Sequence, residues 1–234
     1  MRFGVVIFPG SNCEQDVIWA TRYLGFESDY IWHGDTDLEG FDAIVLPGGF
    51  SYGDYIRTGA VARFSPVMNE VLRFADKGGP VLGICNGFQI LTEAHMLPGA
   101  LLRNEGLKFI CKEVSLRVEE SVCQWVDLAP GTVVRIPINH NEGNYICDDE
   151  TLARLNATGQ VVLRYCEADG TSIPGGSAPN GALDDIAGIC NERGNVFGLM
   201  PHPERACDPD ANGTDGQPFF TTIVKRLAEV AGKA

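Results

Sequence analysis

Short apolar runs recur along the chain, each stopped by Gly, Pro or Asp, as buried strands with other elements between them require. Residues 3–8 form the first, halted at Pro9-Gly10-Ser11. Ser11 and Glu14 then have capping-box spacing, which predicts a helix through Val17, Ile18, Ala20 and Leu24 that Gly25 closes. Residues 28–32 return as a strand, so the chain opens β-α-β. Residues 43–46, stopped by Pro47-Gly48-Gly49, and 81–84, which run into Cys85, are apolar throughout, as strands buried on both faces are. Helices are predicted over 67–75, ended by Gly78-Gly79-Pro80, and directly after Cys85. A parallel sheet wrapped by helices on both faces is the simplest packing for this order.

Beyond about residue 105 the pattern becomes β-rich. Residues 109–118, 133–138, 161–166 and 196–200 are separated by turn-forming residues and read as antiparallel strands. Residues 219–230 read as a closing amphipathic helix with Phe219, Ile223, Leu227 and Val230 on one face. No linker or low-complexity tract interrupts residues 1–234, so one domain is expected.

Composition narrows the function. With 18 Lys and Arg against 31 Asp and Glu, the formal charge of −13 leaves no clustered basic surface for phosphate, which excludes a general nucleic-acid binder. No apolar run approaches the roughly 18 residues of a membrane helix, and the first run is too short for an export signal, so a cytoplasmic protein is expected. The 8 cysteines contain no Cys-x-x-Cys pair and are expected to be reduced, mostly as small core residues. No Walker-type or Gly-x-Gly-x-x-Gly loop is present, so nucleotide is not expected to bind to this chain.

Three segments carry chemistry. Gly83-Ile84-Cys85-Asn86-Gly87 sets a thiol between glycines just after a buried strand, the pattern of a nucleophile elbow. The sharp turn brings backbones together, so its flanks must lack Cβ atoms, and the following helix start stabilises a thiolate. The same Gly-Ile-Cys-Asn string recurs at 188–191, but there it runs into a polar turn between strands. His202-Pro203-Glu204 puts an imidazole and a carboxylate on one face of an extended segment, suited to take the proton from Cys85 and to orient the base. Pro47-Gly48-Gly49-Phe50 follows a buried strand with uncovered amides; the N–H groups of Gly49 and Asn86 fit an oxyanion hole. Taken singly, each has an ordinary reading: a core cysteine, a surface histidine beside a solvated acid, a Pro-Gly-Gly turn.

Together they resemble the class I glutamine amidotransferases, whose triad is Cys, His and Glu. The strings at 8–13 (FPGSNC), 48–55 (GGFSYGDY), 142–145 (EGNY) and 183–188 (LDDIAG) narrow the likeness to the glutaminase subunits of phosphoribosylformylglycinamidine (FGAM) synthase, over residues 3–208. The resemblance implies a flavodoxin-like open, mostly parallel sheet flanked by helices, with an additional antiparallel portion. It implies Cys85 as nucleophile, His202 as base, Glu204 as its orienter, and Gln89 and Gly48 against bound glutamine. It also implies a synthase subunit, and a small accessory subunit, as partners; ATP and Mg are expected on the synthase, with no cofactor or metal on this chain. The chain departs from the family pattern at Asn139 and Asn141, where smaller residues are expected, and over 119–129.

Two further reaction-level readings remain open at this point: a self-sufficient cysteine hydrolase acting on γ-glutamyl substrates, and a non-catalytic regulatory subunit. Among single residues, Cys13 is a rival nucleophile, since a helix start lowers a thiol pKa. His140 lies in a Gly- and Asn-rich loop, as a ligand-binding or a merely hydrogen-bonded residue. Arg57 and Arg63, read as lying in a helix after the Gly-Gly loop, either steer an anion or are solvated. Asp184-Asp185 reads as a turn before a strand.

Overall fold

The structure, a computed structural model, describes residues 1–173 and 178–232. The apolar run at the N-terminus becomes β1 (Arg2–Ile7), followed by α1 (Glu14–Tyr23), β2 (Glu27–Trp32), β3 (Ala43–Leu46), α2 (Pro66–Asp76), β4 (Val81–Ile84) and α3 (Asn86–Glu93). The remainder comprises β5 (Ala100–Leu102), β6 (Ile110–Val118), β7 (Val133–His140), β8 (Asn144–Ile146), α4 (Asp149–Ala157), β9 (Val161–Cys166), β10 (Ile186–Cys190), β11 (Val196–Leu199) and α5 (Pro218–Ala231). Nine strands form one sheet in the order β2-β1-β3-β4-β11-β10-β9-β6-β7, and β5 pairs with β8 separately.

The sheet has two halves. Pairings β2-β1, β1-β3, β3-β4 and β4-β11 are parallel, and β11-β10, β10-β9, β9-β6 and β6-β7 are antiparallel. Residues 196–200 were expected among the antiparallel strands; β11 is instead the seam, parallel to β4 and antiparallel to β10. Every residue of β3, β4 and β11 is buried, which explains their unbroken apolar character. In register, Leu46 lies opposite Gly83 and Ile84 opposite Leu199. The chain therefore leaves β3, β4 and β11 at one level of one edge, where open α/β sheets collect their sites.

The helices follow from local chemistry, with one exception. Asp148 caps α4 by accepting the Thr151 N–H at 2.7 Å, a helix the periodicity did not reveal. α3 presses on the sheet so closely that a Cβ at Gly87 would lie 1.9 Å from the Leu46 oxygen. α5 buries Phe219 and Phe220 against Phe197 and Phe3, with Ile223 also buried and Leu227 half-buried; the Val230 side chain lies outside those described. The expected capping box does not form: the N-cap of α1 is Cys13, with no side-chain cap bond. Ser11 Oγ instead accepts the Phe8 N–H at 3.1 Å, tying off the turn before the helix begins. Arg57 lies in an irregular loop and Arg63 in a single 3-10 turn, Ala62–Phe64, because repeated left-handed residues between 52 and 59 prevent a helix there. Asp184 and Asp185 form the expected turn before a strand, leading into β10.

Candidate active site

Cys85 sits between β4 and α3 with φ 50° and ψ −103°, a conformation costly for any residue with a Cβ. Both neighbours enforce it. Its N–H donates to Leu199 O at 2.8 Å, continuing the β4-β11 ladder, while its carbonyl accepts the Gln89 N–H at 3.1 Å as the first helix bond. The sulfur thus stands at the sheet edge, 3.7 Å from Asn139 O.

His202 arrives after β11, anchored by its N–H to Pro137 O at 2.8 Å. Glu204 reaches it not across an extended segment, as expected, but around a 3-10 turn, Pro203–Arg205, with Nδ1 and Oε1 2.6 Å apart. Both side chains are almost wholly buried. Glu204 fixes the Nδ1–H tautomer, leaving Nε2, which has no properly directed partner, toward the thiol. Burial alone would pull the imidazole pKa down; the Glu204 carboxylate and the Cys85 sulfur, close enough to act as a charged and hydrogen-bonding neighbour, outweigh it and raise it to about 10. The carboxylate thus favours the charged ring, which is suited to donate a proton beside the sulfur.

Gly49 and Asn86 flank this pair. Gly49 holds φ +137° in an isolated bridge to Ser11 whose hydrogen bonds are made by its neighbours, Phe50 N–H to Gly10 O and Cys13 N–H to Gly48 O. Asn86 opens α3, where N–H groups have no intrahelical acceptor. Its side chain accepts the Ser51 N–H at 3.1 Å and donates to Gln89 Oε1 at 2.9 Å, which ties the elbow helix to the segment after the Gly-Gly loop. Gly48, expected against substrate, does not line the cavity. A Cβ there would sit 2.8 Å from His202 Cε1 and 3.1 Å from Cys13 Sγ, so its part is to leave room for the imidazole.

The cavity, of about 190 Å³, is lined by Cys85, His202, Gly49 and Gln89 together with the 139–142 segment. Gln89 Nε2 donates to Glu142 O at 2.5 Å. His140 lies on the far wall, its Nδ1–H toward Asn104 Oδ1 at 3.1 Å. The Asn104 orientation is set because its oxygen also accepts the Gly143 N–H, and its amide donates to Lys108 O and His140 O. Burial and the nearby His202 charge lower His140 to about 3, so it presents a neutral, unpartnered Nε2.

Cys13 and Arg57 do not fit the site as nucleophile and steering cation. Burial, and then the Glu204 charge, push the Cys13 thiol well up despite Arg205 Nη2 at 3.2 Å, the reverse of the helix-start expectation. Arg57 is outside the cavity, held by both oxygens of Glu93 at 2.5 and 2.7 Å. The ligating atoms of Cys13, His202 and Glu204 lie within 4.8 Å of one another. Within that group Nδ1 is already engaged by the Glu204 carboxylate at 2.6 Å.

Asn12, Asp54, Thr58, Glu142 and Arg205 also line the cavity, although the sequence reading gave none of them a role. Asn12 and Asp54 lie inside the quoted strings 8–13 and 48–55, so their signal was the string itself. Burial and Glu142 raise Asp54 to about 6. Arg205 is placed by Asp16, at 3.0 Å, from the other end of the chain.

Comparison with known proteins shows the family. Residues 1–217 match the model of the CobB/CobQ-like glutamine amidotransferase domain. The chain is 55% identical to phosphoribosylformylglycinamidine synthase subunit PurQ of Synechococcus sp. (strain JA-3-3Ab), covering 97% of this chain and 98% of the relative. It is equally identical to the protein of that name from Koribacter versatilis (strain Ellin345), over 98% of this chain and all of the relative. A chain in the structure of PurLQS from Thermotoga maritima superposes with a TM-score of 0.85 at 44% identity, covering 97% of this chain and 98% of that one.

Proposed function

The chain belongs to the CobB/CobQ-like glutamine amidotransferase family, and from that premise we propose that it is the glutaminase subunit of FGAM synthase, in purine biosynthesis. It hydrolyses L-glutamine to glutamate and ammonia and passes the ammonia to the synthase subunit, which makes formylglycinamidine ribonucleotide from formylglycinamide ribonucleotide and ATP. The observation that carries this reading is the strained Cys85 facing an imidazolium that Glu204 holds at 2.6 Å.

The Cys85 thiolate attacks the side-chain amide carbon of glutamine, forming a C–S bond as the carbonyl electrons move onto oxygen. The N–H groups of Gly49 and Asn86 hold that oxyanion. As it collapses, the C–N bond breaks and the His202 imidazolium gives its proton to the leaving nitrogen, releasing ammonia and a glutamyl thioester. Neutral His202 then takes a proton from water, hydroxide adds to the thioester carbon, and the C–S bond breaks to give glutamate. The proton on His202 returns the imidazole to its starting state, and the freed Cys85 sulfur can meet the next substrate. Gln89 shapes the cavity wall beside the substrate amide, and all these groups act within a single domain.

No cofactor takes part in these steps, and ATP and Mg belong to the synthase; no helix among the described residues is long and apolar enough to cross a membrane. This reading places the chain in the cytoplasm beside that subunit, with a small accessory subunit in the complex. Cys85→Ala tests it: glutamine-driven synthesis by the complex is abolished while ammonia-driven synthesis survives. A glutamine-like diazo-ketone should alkylate Cys85 and leave Cys13 and Cys190 unmodified. Residual glutaminase in Cys85→Ala, or label at Cys13, would overturn the assignment.

A further inference from the structure

We infer that the Nε2 lone pair of His140 accepts an N–H of the glutamine side-chain amide, and so selects an amide nitrogen over a carboxylate or an ester at the reacting carbon. The inference rests on the glutaminase reading above and names the group that recognises the leaving nitrogen.

The fold leaves that atom bare and fixes it there. His140 closes β7 opposite Ile110 of β6 and is only 3% exposed. Asn104 Nδ2 donates to two carbonyls, Lys108 O at 2.9 Å and His140 O at 3.0 Å, so Oδ1 is the atom that faces the ring. Nδ1, 3.1 Å from that oxygen, therefore carries the proton, and the neutral ring keeps an acceptor at Nε2. The ring is pinned against Gly143, where a Cβ would lie 2.2 Å from Cε1 and 2.6 Å from Nε2. Gly143 is held in turn, its N–H by Asn104 Oδ1 at 3.0 Å and its carbonyl by Asn180 Nδ2 at 2.8 Å. Nε2 is buried with no hydrogen-bond partner among the described residues. An acceptor stripped of water and left unpaired is destabilising, so a ligand N–H that reaches it is favoured.

The ring lies beside the reacting groups. His140 lines the same cavity, of about 190 Å³, as Cys85, His202, Gly49 and Gln89. The carbonyl of its chain neighbour Asn139 is 3.7 Å from Cys85 Sγ, and the His202 charge is near enough to act on the His140 ring.

The chemistry of the substrate says what the lone pair is for. A side-chain amide offers one oxygen acceptor and an NH₂ donor group. In the steps above the Gly49 and Asn86 N–H groups take the oxygen, and His202 is a proton donor toward the nitrogen, so neither serves the amide protons. An acceptor is what they lack, and His140 Nε2 is one with no competing partner. A carboxylate or an ester in place of the amide turns only lone pairs toward this nitrogen, which repels them. The site therefore favours glutamine over glutamate, the product it must release.

The test uses the chain assembled with its synthase and compares glutamine with L-glutamate γ-methyl ester, which presents the same carbonyl without an N–H. His140→Phe keeps a ring and removes the acceptor. It should lower kcat/KM for glutamine about a hundredfold and change that for the ester by no more than about threefold. His140→Leu serves as a second variant should the phenyl ring disturb the fold, and the same split is required of it. His140→Gln, whose Oε1 can accept in place of Nε2, should hold glutamine turnover within about tenfold of wild type. The glutamine-like diazo-ketone carries no N–H at the reacting carbon, so it should alkylate Cys85 in these variants at the wild-type rate. Equal losses on amide and ester, an unchanged glutamine rate in His140→Phe, or loss of labelling in His140→Phe and His140→Leu alike overturns the assignment and leaves His140 a structural residue. Failure of the wild-type chain to label at Cys85 would sink the glutaminase reading instead.

Discussion

The parallel and antiparallel halves of the sheet meet at β11, and each side of that seam brings one histidine to the same cavity in an opposite state. His202 leaves β11 beside a buried carboxylate and a sulfur and is held protonated. His140 ends β7, on the antiparallel side, with an amide oxygen for company and a cation nearby, and is held neutral. The two rings are equally buried, so desolvation is common to both. What separates them is the charge folding places next to each: an anion offsets the desolvation cost of an imidazolium, and a second cation adds to it.

The sharpest way to break this comparison is His202→Asn, which removes the proton donor of one half only. Glutamine-driven turnover should fall on the order of 10⁴-fold, with ammonia-driven synthesis intact. The same variant tests the charge. A folded pKa near 10, against about 6.5 unfolded, means the stabilisation is complete below about 6.5 and is lost as pH rises toward 10. Denaturant titrations should show that alkaline slope in the wild type and a shallower one in His202→Asn.

Gly48→Ala asks whether the position of the ring, rather than its charge, is what the parallel half supplies. The added Cβ would displace the imidazole at Cε1, and about a hundredfold loss of kcat with His202 still protonated is expected. NMR of the imidazole nitrogens would verify the charge state. His140→Gln probes the other half. The native ring binds its proton only near pH 3, so the unfolded chain takes up a proton the fold refuses, and stability is lost as pH falls from about 6.5 toward 3. The variant should flatten that acid slope relative to wild type. Arg57→Ala, outside both halves of the site, should change stability by no more than about 1 kcal/mol and leave the glutaminase rate as it was.

The same division marks how far the sequence could be read. β1, β3, β4 and the elbow at Cys85 were visible because strands buried on both faces leave uninterrupted apolar runs and a tight corner leaves glycines. Outside the nine-stranded sheet the strands of three residues, β5 and β8, carry too few positions for a period to show, and α4 has a weak apolar face that buries only Leu155. The capping box at Ser11 and Glu14 failed because the helix begins later than its spacing implies: Cys13 is the N-cap, and the Ser11 hydroxyl lies in the preceding turn, where it accepts the Phe8 N–H.

The amino-acid order by itself determined the local chemistry: which runs bury, where the chain must turn without a Cβ, and that a thiol, an imidazole and a carboxylate are available at strand ends. Tertiary structure alone decided which thiol meets the imidazole, that Gly48 gives clearance rather than contact, that Arg57 is spent on Glu93, and which histidine is charged. Those outcomes depend on desolvation and on charges from segments as far apart as Cys13 and Arg205, 192 positions along the chain. Fields of that kind have no local signature, because they exist only once folding has removed the water and brought the groups together.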